Sequence, residues 1–182
     1  ALAPGVAIAL YIYLKDKHER EPISLLLISF FYGALSVLLT LIISMPLEII
    51  MINKQSAAEL FADAFFKVAL VEEFSKFVFI RFILFRNKNF NEPFDGIVYA
   101  AMVGMGFATL ENIAYVLQHG YITGITRMFL SVPAHATFAV LMGYHVGLAK
   151  FNEARRGRYL LLAIFWPVLF HGTFDFFLFL GK

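Results

Sequence analysis

Apolar runs about 20 residues long recur along this chain, parted by short stretches that hold most of its charge. No water reaches the hydrocarbon of a bilayer, so a run that crosses it must satisfy its own backbone amides and carbonyls, as an α-helix does. Composition fits that constraint. Of 182 residues, 60% are hydrophobic and only 15% charged, where a soluble domain carries roughly 25% charge. The fold class expected is all-α: a polytopic transmembrane helix bundle, with residues 1–182 as a single transmembrane domain in the lipid bilayer. A net charge of +2 is too small to imply nucleic acid as a partner, and the zero cysteine count excludes disulfides and thiolate metal sites.

Six spans are expected, at about 1–14, 23–52, 57–85, 94–118, 127–150 and 159–180. The first is too short to cross alone and reads as the remainder of a span. Charges follow it, where a secretory signal would need them in front. Pro22 suits the first position of the second helix, and Pro46 is the place for a kink within it. Glu48 reads as interfacial, and Asp95 as the cap that starts the fourth helix. His18 and His119 fall in loops, and His145 lies near the far end of span five.

Span three breaks the apolar pattern. Val71-Glu72-Glu73-Phe74-Ser75-Lys76 places three ionisable side chains inside an apolar stretch, each at roughly 2.5–3.5 kcal/mol if held at mid-bilayer. Glu72 and Lys76 are four apart, share a helix face and are placed to pair, while Glu73 projects about 100° away. Two carboxylates on adjacent positions cannot both ionise cheaply at low dielectric, which is how a general base near neutral pH is made. On one uninterrupted α-helical wheel, Glu59, Asp63, Lys67, Glu72, Glu73 and Lys76 cover more than half the circumference. Such a helix belongs inside the bundle or against a water-filled cavity. Asp63 and Lys67 read as a plain i,i+4 pair near the membrane surface.

Small residues at every fourth position let membrane helices approach closely. Ala100, Gly104 and Ala108 form such a stripe in span four, and Glu111 continues it with Asn112 beside it. His135, Ala139, Gly143 and Gly147 repeat the pattern in span five, and Gly33 and Ala34 read as packing contacts in span two. In span six, His171 and Asp175 are an i,i+4 pair in which the carboxylate orients the imidazole and fixes its tautomer. Glu72, Glu73, Lys76, Glu111, His135, His171 and Asp175 thus converge from four helices on one depth zone.

Loops after spans one, three and five collect ten Lys and Arg residues, against Lys54, Arg127 and Lys182 on the other side. The positive-inside rule makes the first set cytoplasmic and puts both visible termini outside, in a multi-pass protein of the cell membrane. At about 1.5 Å per residue, Glu72 and His171 come out near mid-membrane, with Glu111 about seven and His135 about eight residues in from the outer ends of their spans. The polar residues therefore lie between the midplane and the outer face.

Carboxylates and imidazoles without Cys or Ser partners suit two chemistries. In one, a Glu activates water while His or Asn donors stabilise an oxyanion. In the other, two His and a carboxylate hold a catalytic zinc with an open water position; no His-Glu-x-x-His run is present, so its ligands would come from separate helices. A proton-coupled transporter or channel also uses buried Asp, Glu and His as a relay, although six spans without an evident inverted repeat or paired broken helices argue against it.

Several stretches resemble one family. Glu72-Glu73-Phe74-Ser75-Lys76 is similar to its EExxK motif, and Phe94-Asp95-Gly96-Ile97 through Gly104-Met105-Gly106-Phe107-Ala108 to Glu111-Asn112 is similar to its second. Pro133-Ala134-His135 and His171-Gly172-Thr173-Phe174-Asp175 resemble the third and fourth, and Glu21-Pro22 also fits. The family is the PrsW family of intramembrane proteases, within the superfamily of CAAX-prenyl-protease-like and bacteriocin-processing membrane proteins. The resemblance implies peptide-bond hydrolysis in or beside the membrane, with Glu72 and Glu73 as catalytic glutamates and Glu111, His135 and His171 completing the site. It also implies a membrane-anchored substrate, since the best-known members make the first cut in an anti-sigma factor on its outer side. Glu72 is then the general base, tuned by Glu73 and Lys76, while His135 and His171 bind the oxyanion or, with Glu72, a zinc ion. Glu111 is a further ligand or the partner that orients the imidazoles, and Asp175 orients His171. A proteolytically dead relative that binds a partner's helix through its Gly/Ala faces is the third reading.

Overall fold

The structure, a computed structural model, describes residues 2–15, 20–50 and 56–181, with the backbone alone at 48–50. Lys17, His18, Lys54, Lys182, the side chain of Glu48 and the far end of the second expected span lie outside the described residues. All regular structure among the described residues is helical: α1 (Ala3–Lys15), α2 (Ile23–Ile50), α3 (Ala57–Ala62), α4 (Leu70–Phe82), α5 (Asp95–His119), α6 (Tyr121–Phe129), α7 (Ser131–Phe151) and α8 (Arg156–Leu180). A π-helical segment, Asp63–Ala69, joins α3 to α4 without leaving helical backbone angles.

Helices stand where the six spans were expected. Three are long and apolar enough to cross a membrane, Ile23–Leu47, Asp95–His119 and Glu153–Leu180, and α6 with α7 make a fourth if their 41° bend falls within one span. The chain is thus an all-α polytopic membrane protein. α1, at 13 residues, is shorter, and the stretch 57–82 carries Glu59, Asp63, Lys67, Glu72, Glu73, Lys76 and Arg81.

α5 sits at the centre, packed against α1, α2, α4, α6 and α7. Every residue from Val98 to Thr109 is buried, so this helix must be apolar or small all round. Two seams of small residues bring its neighbours close. Toward α7, a Cβ added at Gly143 would run into the Gly96 carbonyl and Ile97, and one at Gly104 into Ala139. Toward α2, a Cβ at Gly33 would strike the Val103 carbonyl and one at Gly106 the Phe30 carbonyl. The four-residue stripes of α5 and α7 therefore face each other, while Gly106 serves a second face that those stripes omit.

Two details differ from expectation. Gly120, at φ +83°, ends α5 in the left-handed region that glycine alone enters freely. The next residues form α6, and α7 begins at Ser131 instead of near Arg127. Tyr121–Phe129, rich in Thr and β-branched Ile, is a poor helix former in isolation, and most of it falls in the loop expected between spans four and five. Asp95, for its part, does not cap α5. Its Oδ2 accepts the backbone N–H groups of Asn91 and Glu92, both at 2.8 Å, and so braces the loop ahead of the helix.

The glycine seams give a test. Gly143→Ala should destabilise the protein by about 1–3 kcal/mol through overpacking. Gly157→Ala, whose added Cβ meets nothing within 4 Å, should lose no more than about 0.5 kcal/mol. Unfolding of the two purified variants in detergent measures both, and equal midpoints would discount the seam.

Candidate active site

All seven residues expected at the site are in one cluster, built upward from α4. Glu73 is completely buried, and its Oε1 accepts from Lys76 Nζ at 2.6 Å and from His171 Nδ1 at 2.8 Å. Lys76 therefore pairs with Glu73, three residues away, and not with Glu72 as the i,i+4 spacing suggests. Lys76 Nζ also lies 3.3 Å from His135 Nδ1 and 4.3 Å from the centre of the Phe107 ring, where the aromatic face attracts a cation. His135 Nε2 stands 3.0 Å from Glu111 Oε2. His171 Nε2 lies 3.3 Å from Asp175 Oδ2 and 3.8 Å from Glu72 Oε2.

Packing fixes this arrangement. Phe65 of the π segment lies against Gly172, where a Cβ would overlap its ring, so α8 closes on this segment right beside His171. Phe138 stacks on His171 with centroids 4.8 Å apart, and the two imidazoles meet edge to face at 5.1 Å. The π segment also explains why a uniform wheel misplaces the upstream charges. Its i→i+5 bonds put more residues in each turn, so Glu72 and Glu73 are rotated away from the register that Glu59 and Asp63 set. Asp63, expected in a surface pair, is buried.

A cavity of about 220 Å³ opens beside the cluster. Glu72, Glu111, His135, His171 and Asp175 line it together with Tyr115, Thr123, Thr126, Arg127 and Ser131, and Val68, Leu130, Phe138, Phe174, Leu178 and Phe179 complete the wall. Glu73 and Lys76 are not part of that wall. It lies where α5 ends, α7 begins and α8 ends, with His135 one turn into α7. Sequence reasoning missed Arg127, whose Nη2 reaches the same Glu111 oxygen at 2.7 Å. The signal was available: Arg127 is the only Lys or Arg between Lys88 and Lys150.

Glu72, His135 and His171 each offer one ligand atom, and the three atoms lie within 4.8 Å of one another. Two imidazole nitrogens and a carboxylate oxygen are a donor set of catalytic zinc. Glu72 Oε2 is buried with no hydrogen-bond partner, an acceptor of the kind a cation satisfies. Behind each imidazole stands a carboxylate, Glu111 for His135 and Glu73 for His171, as is usual for metal-ligating histidines. The residues therefore fit a divalent cation, for which His135 and His171 would each release one of their two present contacts.

A family model described as PrsW family intramembrane metalloprotease matches residues 21–182. The chain belongs to the PrsW family. It is 44% identical to the Protease PrsW of Geobacillus kaustophilus over 174 residues, which cover 96% of this chain and 76% of the relative. The Bacillus subtilis protein of that name is 38% identical over 178 residues, 97% of this chain and 80% of its own. The Clostridioides difficile one is 36% identical over 185 residues, 98% and 77%. No solved structure matches the chain. As a member of the PrsW family it is an intramembrane protease.

Removing the cation that Glu73 and His135 share leaves a buried carboxylate short of its partner. Lys76→Met should therefore destabilise the protein by about 3–5 kcal/mol, and Lys88→Met, on the exposed loop, by no more than about 0.5 kcal/mol. Denaturant unfolding in detergent separates the two, and a similar small loss for both would show that the pair does not hold α4.

Proposed function

We propose that the chain hydrolyses a peptide bond of a membrane-anchored protein, with Glu72 taking the proton of the attacking water. The reading is carried by the unequal state of two adjacent glutamates. Glu73 is engaged through Oε1 by Lys76 and His171 away from the cavity wall, while Glu72 lines the cavity and no lysine holds it; each keeps an Oε2 with no hydrogen-bond partner. The oxygen of water bonds to the scissile carbonyl carbon as Glu72 takes one of its protons. The C–N bond then breaks, and the same carboxyl returns the proton to the leaving nitrogen. Negative charge that develops on the carbonyl oxygen needs donors, and His135 and His171 are the imidazoles in the wall, each donating there only by exchanging a present carboxylate contact for the oxyanion. Glu111 and Glu73 hold those rings, and Asp175 holds His171 from its other nitrogen.

The family's description as metalloproteases favours an ion at this site, and Glu72, His135 and His171 would hold it, zinc by donor type. When bound, it supplies Lewis acidity toward the scissile carbonyl and makes water acidic enough to ionise near neutral pH. A carboxylate has two oxygens, so Glu72 holding an ion with one keeps the other for the proton.

For substrate we assign a single-span protein cut near the outer face of the membrane, of the anti-sigma-factor type that the motif resemblance implies. The cavity lies at the end of the bundle away from the loops that hold Arg86, Lys88, Arg155, Arg156 and Arg158, which the positive-inside rule makes cytoplasmic. The visible termini are then outside. Residues 1–182 are taken as one transmembrane domain because α1, α2, α4, α6 and α7 pack on α5, and α8 on α7. The transporter reading draws no support from the relatives, which are named as proteases.

Glu72→Gln should keep the wild-type unfolding midpoint and cut reporter cleavage by at least about 100-fold; cleavage at the wild-type rate ends the proposal. Metal content is a separate measurement. Near-stoichiometric zinc whose chelation stops cleavage of a single-span reporter is expected, and metal-free protein that cleaves in the presence of chelator removes the ion while leaving Glu72 its role.

A further inference from the structure

Arg127 reaches the site through the shape of α6. Gly124 has no side chain and lets α6 lie on Val116 of α5, where a Cβ would overlap the valine methyl. Arg127 is three residues on from Gly124 and so shares the face turned to α5. There Glu111 and Tyr115, four apart, form one patch. The guanidinium lies 3.8 Å from the centre of the Tyr115 ring, and its Nη2 is 2.7 Å from Glu111 Oε2. That same oxygen meets His135 Nε2. On the other edge of the ring, Lys76 Nζ has only protons to donate, so Nδ1 accepts and Nε2–H donates to Glu111.

Taking the chain as the protease proposed above, we propose that Arg127 is a positioning residue that holds Glu111 against His135 Nε2 and thereby fixes the orientation and tautomer of that imidazole. Glu111 is 17% exposed and lines the cavity, so without the guanidinium only the His135 bond itself keeps its carboxylate from turning into the cavity. Tyr115 supports the guanidinium from below and makes the contact rigid. Arg127 Nε is buried without a hydrogen-bond partner, so the residue is held by the Nη2 contact to Glu111 and by the aromatic face.

Three variants test it: Arg127→Gln, Glu111→Gln and the two combined, each required to unfold at the wild-type midpoint. Nitrogen-15 NMR of labelled histidines in detergent micelles, with His135 assigned through His135→Asn, reads the ring itself. A single Nε2-protonated form is expected in the wild type and in Arg127→Lys, and its loss to the same extent in Arg127→Gln, Glu111→Gln and the double variant. Cleavage of a single-span reporter should follow, with kcat about 10–100-fold lower in Arg127→Gln, KM within about twofold, and no further loss in the double variant. An unchanged His135 signal in Arg127→Gln, or losses that add in the double variant, overturns the proposal. So does a rise in KM alone, which would make Arg127 a substrate-binding group. Should Arg127→Gln fail to fold, Tyr115→Leu, which removes the ring beneath the guanidinium, gives the same reading. Failure of the protease reading shows separately, as cleavage that survives Glu72→Gln while the His135 signal stays intact.

Discussion

One fully buried carboxylate oxygen, Glu73 Oε1, takes both Lys76 and His171, and the geometry around it depends on that contact. Charge inside a bilayer persists only when it is paired or opens onto water. Here the pairing ties α4 to α8 directly, and through Lys76, His135, Glu111 and Arg127 it passes to α7, α5 and α6. Well-packed apolar side chains of similar volume often serve stability as well as a buried ion pair or better. A network of this kind is therefore weak evidence for stability and better evidence for a site whose geometry has to be held.

The small-residue seams do what the network cannot. Apolar side chains gain little from meeting each other in lipid, so close backbone approach must come from residues without bulk. Glycine and alanine at the contacts of α5 with α7 and α2 bring His135 and Glu111 to hydrogen-bonding distance, a reach that thicker interfaces would deny. Gly172 does the same for His171 by admitting the Phe65 ring.

Much of this was legible in the sequence because membrane helices leave strong marks. Apolar runs located the helices, four-residue stripes marked the close-packed faces of α5 and α7, and intramembrane charge marked the residues that cluster. What sequence did not show has local causes. The pairing of Lys76 with Glu73 depends on side-chain reach and on His171 across the interface, which spacing on one helix does not encode. Arg127 read as the outer end of span five and not as a site residue, because α6 has weak intrinsic helicity and is held by Gly124 on Val116. The start of α3 did carry a legible sign that went unused: Ser56 and Glu59 form a reciprocal capping box, with Glu59 Oε2 2.9 Å from the Ser56 amide.

The π segment between α3 and α4 holds one more residue than an α-helix of the same rotation would need. Removing any one residue from Asp63–Ala69 would let the backbone relax into ordinary α-helix, which is locally the better hydrogen-bonded form. The shortened α-helical stretch would sweep about the same angle as the π segment it replaces, so Glu72 and Glu73 would keep their place opposite the histidines. A single deletion within this segment is thus a change of length that the site can absorb, where the same deletion in an ordinary helix would turn both glutamates by about 100°.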